Sequence, residues 1–308
     1  MEHLWANYTR MHKNWISWLV FALLAIVWGS SFILMKEGLK AFNPYQVASL
    51  RMLSAGIILL PFAYKAIKLV PGNKMGLVIL SGILGNFIPA YLFCIAETQI
   101  DSSLAGILNS LTPMFTIIVG VLFFKVQTNF AKIIGMIIGF LGLSFLLAAG
   151  KNMSFHNLSY ASLVLLATLF YGINVNIVGR YMQQLGSINV ASIAFAFLII
   201  PSTCVLYHTG YFSNDFTNPI VLRSLAASSV LGIVGTSIAT ILFYYLVKQA
   251  GMLFGSMVTY GIPIVAVAWG ILDGESLNLI QIGCLGLILW GVYIVNRGHL
   301  GFAKKQKA

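Results

Sequence analysis

The chain carries one pattern twice. At an offset of 150, Gly82, Ile83, Gly85, Ile88, Leu92, Phe93, Gln99, Pro113, Gly120 and Leu122 meet Gly232, Ile233, Gly235, Ile238, Leu242, Phe243, Gln249, Pro263, Gly270 and Leu272 without a gap. The earlier parts of each half register at an offset of 143, where Gly29 meets Gly172 and Val47-Ala48-Ser49 meets Val190-Ala191-Ser192. Beyond Glu275 the offset is about 148, which sets Gly135 against Gly283. Two similar units are therefore expected, over residues 12–149 and 156–298, joined by the short polar run from Gly150 to Asn157. Inside an apolar chain, such repeats usually build two halves that move around a shared site.

The medium follows from composition. Of 308 residues, 59% are hydrophobic and 8% charged, against about 25% charged in a soluble domain. A spanning helix needs about 20 apolar residues. Ten segments qualify, at approximately 15–35, 44–63, 75–96, 103–124, 133–149, 159–178, 190–207, 224–247, 252–272 and 280–295. The reading is an all-α membrane protein of ten transmembrane helices. The first segment lacks a small-residue cleavage site and is read as a retained helix. Cys94, Cys204 and Cys284 stand far apart and suggest neither a metal site nor a disulfide framework. The formal charge of +11 is explained by basic loops that orient a membrane protein, so no nucleic-acid partner is inferred.

Placing the N-terminus in the cytoplasm puts Arg10, Lys13, Lys65, Lys68, Lys74, Lys125, Lys132, Arg180, Lys248, Arg297, Lys304, Lys305 and Lys307 inside. Lys36, Lys40, Lys151 and Arg223 fall outside, and Arg51 lies within a span. The bias predicts both termini inside a plasma (inner) membrane. Five helices per half is odd, so the second half enters the membrane upside down. Inverted five-helix repeats are expected, with a substrate site near the midplane between them.

The ordered features resemble the drug/metabolite transporter superfamily in its EamA-like, ten-helix branch. They are Trp28-Gly29-Ser30-Ser31-Phe32 in the first helix, Arg51 within Arg-Met-Leu-Ser-Ala in the second, Pro113 and Pro263 in the fourth and ninth, Gly274-Glu275 at the end of the ninth, and Gly135 and Gly283 in the last helix of each half. The likeness covers nearly the whole chain. Lys125 departs from it, standing where an acidic counterpart of Glu275 is expected. The resemblance implies movement of small metabolites or drugs across the plasma membrane.

Among the ten segments Arg51 alone is charged; all seven acids and all five histidines fall in tails or at helix ends. Intramembrane ionisable groups mark function, so their scarcity points to uncoupled movement of neutral or zwitterionic solutes. Glu97, at the edge of the third helix, is the one acid placed to join a proton path. Arg51 is a candidate anion contact, or else snorkels or caps a neighbouring helix. Pro113 frees the carbonyl of Asn109 and Pro263 that of Thr259. A freed carbonyl must face protein, water or substrate, so Asn109, Thr112, Pro113, Thr259, Tyr260 and Pro263 are candidate cavity residues, or a packing kink. Spacing of four puts Ser228, Gly232, Thr236 and Thr240 on one helix face, with Gly82, Asn86 and Ala90 as counterpart. The glycines suit close packing, while Asn86 and Thr236 are candidates to line the cavity. Trp28 aligns with Tyr171; with Tyr91 and Tyr244 they need partners for N–H or O–H. Ser31 and Asn174 complete the cavity set.

These residues suggest a secondary transporter of small organic solutes, an exporter of amino acids or aromatic, drug-like compounds. A passive channel and a non-transporting sensor or scaffold are the alternatives. No catalytic constellation, metal site or cofactor is expected. The small-molecule substrate and the lipid bilayer are the partners, and the chain is read as a monomer with a homodimer left open.

Overall fold

A computed structural model describes residues 2–126, 129–149, 155–250, 258–275 and 278–305. Its elements are α1 (Glu2–Gly38), α2 (Pro44–Leu69), α3 (Gly72–Gly82), α4 (Ile88–Ala96), α5 (Ser102–Asn109), α6 (Thr112–Phe124), α7 (Phe130–Ala149), α8 (Phe155–Tyr181), α9 (Ser187–His208), α10 (Pro219–Gly232), α11 (Ala239–Ala250), α12 (Val258–Leu272) and α13 (Leu279–Lys305). A π-helical turn, Ile83–Phe87, joins α3 to α4, and another, Ile233–Ile238, joins α10 to α11. No strand occurs among the described residues. Seven helical stretches are long and apolar enough to cross a membrane, and three shorter apolar helices accompany them among the described residues. Most of the expected join between the halves, and the start of the expected ninth segment, lie outside the described residues.

Local sequence explains the helix starts. At α2, Asn43 Oδ1 accepts from Gln46 N at 3.0 Å and Gln46 Oε1 accepts from Asn43 N at 3.2 Å, a reciprocal cap that satisfies two orphan donors. Asn218 caps α10 through Ile220 N at 2.9 Å. Pro44 and Pro219 begin the two helices, where a missing N–H costs nothing.

Helices pack across the sequence repeat. α1 lies on α12, α6 and α4 lie on α8, α2 lies on α9, and α10 wedges against α1 and α2. The same contact recurs at matched positions. A Cβ built on Gly29 in α1 would lie 2.9 Å from the Ile262 carbonyl of α12. One built on the matching Gly172 in α8 would lie 2.9 Å from Thr116 N of α6. Gly82 abuts Ala194 of α9, and its match Gly232 abuts Arg51 of α2, where Ala194 and Arg51 are themselves an aligned pair. Gly85 is crowded by Asn174, and Gly235 by the aligned Ser31. Only a residue without a Cβ lets backbones approach this closely. α13 packs chiefly on α7, so this last pair stands to one side of the interlocked helices.

The break at Pro113 differs from a simple kink. The helix ends at Asn109 and restarts at Thr112, with Ser110 and Leu111 between. The Thr112 hydroxyl donates to the Asn109 carbonyl at 2.7 Å. That carbonyl, freed by the proline, is thus satisfied by the side chain three residues on. Pro263 is buried inside a continuous α12.

Candidate functional site

The two π-helical turns bring the polar side chains together. A π turn adds a residue to the helix and re-aims the side chains after it. In the second turn, Thr236 Oγ1 accepts from Arg51 Nε at 2.8 Å and lies 3.1 Å from the Leu231 carbonyl. Ser237 Oγ lies 3.1 Å from the Ala55 carbonyl of α2. Trp28 Nε1 donates to the Gly235 carbonyl of the same turn at 3.1 Å, and its ring sits 5.2 Å from that of Phe243. Trp28, Ser31, Arg51 and Thr236, scattered over the sequence, therefore meet around one turn. Ser31 itself bonds back to the Val27 carbonyl at 3.0 Å.

The first turn is built differently. Asn174 of α8 accepts from Ser81 Oγ at 2.6 Å. Asn86 is half-buried, and its amide has no hydrogen-bond partner among the described residues. Tyr91 donates to Ser49 Oγ at 2.7 Å, because the Ser49 hydrogen is committed to the Tyr45 carbonyl at 2.6 Å. Tyr171 stacks on Phe93 at 6.1 Å, and its half-buried hydroxyl finds no partner among the described residues. Arg51 is also half-buried, and Nε is its one bonded nitrogen among the described residues. The terminal nitrogens of Arg51, the Tyr171 hydroxyl and the Asn86 amide are donors that the fold buries in part without serving.

Asn109 has Thr112 as its side-chain partner, at 3.3 Å, and Pro113 is buried. Thr259 and Tyr260 are half-buried on α12. The side chain of Tyr244 lies outside the described residues.

One end of the bundle carries an ionic junction that sequence reasoning passed over. Glu275, its side chain 4% exposed, accepts from Ser102 N at 3.1 Å, Ser103 N at 3.0 Å and Ser103 Oγ at 2.6 Å. It caps the first turn of α5, where amide dipoles favour an anion. Lys36 Nζ bridges Glu275 at 2.8 Å and Asp273 at 2.7 Å. Burial opposes charge on Glu275, but the Lys36 ammonium and the Ser103 donors outweigh it and hold the carboxyl below its ordinary range. The hydrogen bond from Lys36 lowers Asp273 likewise. α1, α5 and the end of α12 are locked together here. The signal in the sequence was Ser102-Ser103 directly after Asp101, a helix-start signature.

An all-helical bundle of this apolarity, with unserved polar groups between its helices, is a multi-pass membrane protein. The chain belongs to the EamA-like transporter family, whose pattern matches residues 15–148 and again residues 158–297. It is 28% identical to an uncharacterized transporter of Archaeoglobus fulgidus over 91% of this chain and 98% of that one. It is also 28% identical to YedA, an uncharacterized inner membrane transporter of Escherichia coli, over 93% and 92%. A probable amino-acid metabolite efflux pump of Salmonella typhimurium is 26% identical over 88% and 92%. One solved structure aligns at a TM-score of 0.63 with 14% identity, covering 95% of this chain and 99% of that one; this supports the fold alone.

Proposed function

We propose that the protein is a secondary carrier that exports small organic metabolites across the plasma membrane by alternating access. The observation that carries this is the set of unserved donors on Arg51, Tyr171 and Asn86, placed where helices of the two sequence repeats cross. These half-buried donors are open to a solute that carries acceptors. Arg51 takes an anionic group such as a carboxylate, while Trp28, Tyr91 and Tyr171 shape an aromatic wall. Asn86, Asn174, Thr236, Asn109 and Thr259 supply further polar contacts. The Salmonella relative favours amino acids or related metabolites as the first solutes to try.

The architecture in this reading is ten helices in two inverted repeats, 12–149 and 156–298, with both termini cytoplasmic. The exchanged glycine contacts support the inverted relation. Because α8 packs on α4 and α6 while α1 packs on α10 and α12, the bodies that rock are mixed: the first helix of each repeat moves with helices of the other. The Glu275 junction then closes the outer end.

The test is counterflow in proteoliposomes of the purified protein against a panel of amino acids and aromatic metabolites. A carrier shows saturable exchange, accelerated by solute on the far side. Flux that never saturates indicates a channel, and no flux for any solute favours a scaffold or sensor.

A further inference from the structure

Glu97 closes α4 and is 8% exposed. Its Oε2 lies 3.2 Å from Ser102 Oγ, and its Oε1 is buried with no hydrogen-bond partner among the described residues. An ionised carboxylate accepts on both oxygens, and burying one so thinly served is costly. The decisive feature is the Ser102 hydroxyl. It has one hydrogen but two acceptors before it, Glu97 Oε2 and the Phe32 carbonyl of α1 at 3.4 Å. With Glu97 ionised, the hydrogen goes to the carboxylate, and the Phe32 carbonyl keeps only its helical bond within α1. With a proton on Oε2, Glu97 donates to Ser102, and Ser102 donates to Phe32. Oε1 then becomes a neutral carbonyl oxygen, which tolerates isolation better than a carboxylate oxygen.

The cations near Glu97 among the described residues favour the ionised form without offsetting its burial. Lys36 of α1 is held between Asp273 and Glu275. Arg51 of α2 bonds Thr236, not Glu97, through Nε. Glu275, after α12, adds like charge. Asp101 lies in the turn before α5, Cys94 is on α4 itself, and Tyr171 faces this region from α8. Burial above all, with Glu275 adding to it, pushes the Glu97 carboxyl well above the ordinary range, against the pull of Ser102, Lys36 and Arg51.

We propose that Glu97 is a proton-binding site of the transport cycle, protonated while Ser102 and Phe32 close over it and deprotonated when the α1–α5–α12 end parts. On opening, the Oε2–H bond breaks, the electron pair stays on the carboxylate, and water takes the proton. On closing the steps reverse. The inference rests on the carrier reading and replaces the uncoupled movement expected from the apolar spans.

Infrared difference spectra of the protein in liposomes, recorded through a pH titration, read Glu97 without any solute. The expected result is a protonated-carboxyl C=O band persisting at neutral pH in the native protein and missing in Glu97→Gln. Ser102→Ala removes a donor to the charged form and should move the band's midpoint to higher pH. Counterflow with and without a pH gradient then reads coupling. The native rate should respond to the gradient, and whatever rate Glu97→Gln retains should not. The proposal is overturned by a band absent at neutral pH, by a band unchanged in Glu97→Gln, or by a gradient response that survives this substitution. If no solute moves in any protein, the carrier reading fails and the coupling role falls with it, while the band still decides whether Glu97 binds a proton.

Discussion

Arg51 was visible in the sequence as a lone charge in an apolar segment, but its bond to Thr236 was not, because 185 residues separate them. Nε binds Thr236, and the two terminal nitrogens, unbonded among the described residues, form a fork suited to a carboxylate. Arg51→Lys should therefore slow counterflow by on the order of tenfold, roughly 1.4 kcal/mol, with the melting temperature little changed, since an ammonium cannot reproduce both contacts. Native-like counterflow in that variant would remove Arg51 from the site. Glu275, in the ionic junction, and Glu97, beside Ser102, act oppositely on stability. The folded value of Glu275 is lowered, so its contribution is present above the ordinary glutamate range and is lost as pH falls through its folded value. Glu275→Gln should cost about 1–3 kcal/mol at neutral pH and flatten the acid side of a melting-temperature profile in detergent. The folded value of Glu97 is raised, so stability is greatest below the ordinary range and declines as pH rises towards the folded value. Glu97→Gln should remove that alkaline decline. Glu97 could be singled out by position at a helix edge, whereas its competition with Phe32 for one hydrogen could not, since Phe32 belongs to another helix.

The apolar segments located most helices, because spanning length is a local property. The π-helical turns left no such mark. Ile83–Phe87 and Ile233–Ile238 read as ordinary helix, yet they decide which way Asn86 and Thr236 point. The repeat nevertheless predicts that they come as a pair, as they do. The matched glycines offer a sharper check. Gly29→Val and Gly172→Val each push side-chain atoms into a facing backbone, and each should destabilise the protein by about 1–3 kcal/mol in thermal unfolding. A large effect at one and none at the other would break the equivalence of the α1–α12 and α8–α6 contacts. At the end of α6, Lys125 adopts φ 57°, and the Val126 amide bonds the Gly120 carbonyl at 2.9 Å. The left-handed region suits glycine, so Lys125→Gly should raise stability by roughly 1 kcal/mol, read by the same measurement. A fall instead would mean that the Lys125 side chain contributes more than its backbone costs.

For the molecule as a whole, the proposed topology is checked by tagging the two termini and asking which side of the membrane each occupies; both should be cytoplasmic, and opposite sides would exclude an even number of spans. Membrane residence, the helical class and the doubled architecture were legible in the chain itself. They depend on hydropathy and on self-similarity, which are properties of residue order. Which helix packs on which was decided only by the tertiary structure. The first helix of each repeat lies against helices of the other, so the units that pack together are not the units that repeat. The functional groups divide in the same way. The sequence determined that polar side chains would be few and would have to be satisfied or used. Only the assembled bundle determined which ones find partners, because in an apolar medium that outcome rests on side chains brought together from opposite ends of the chain.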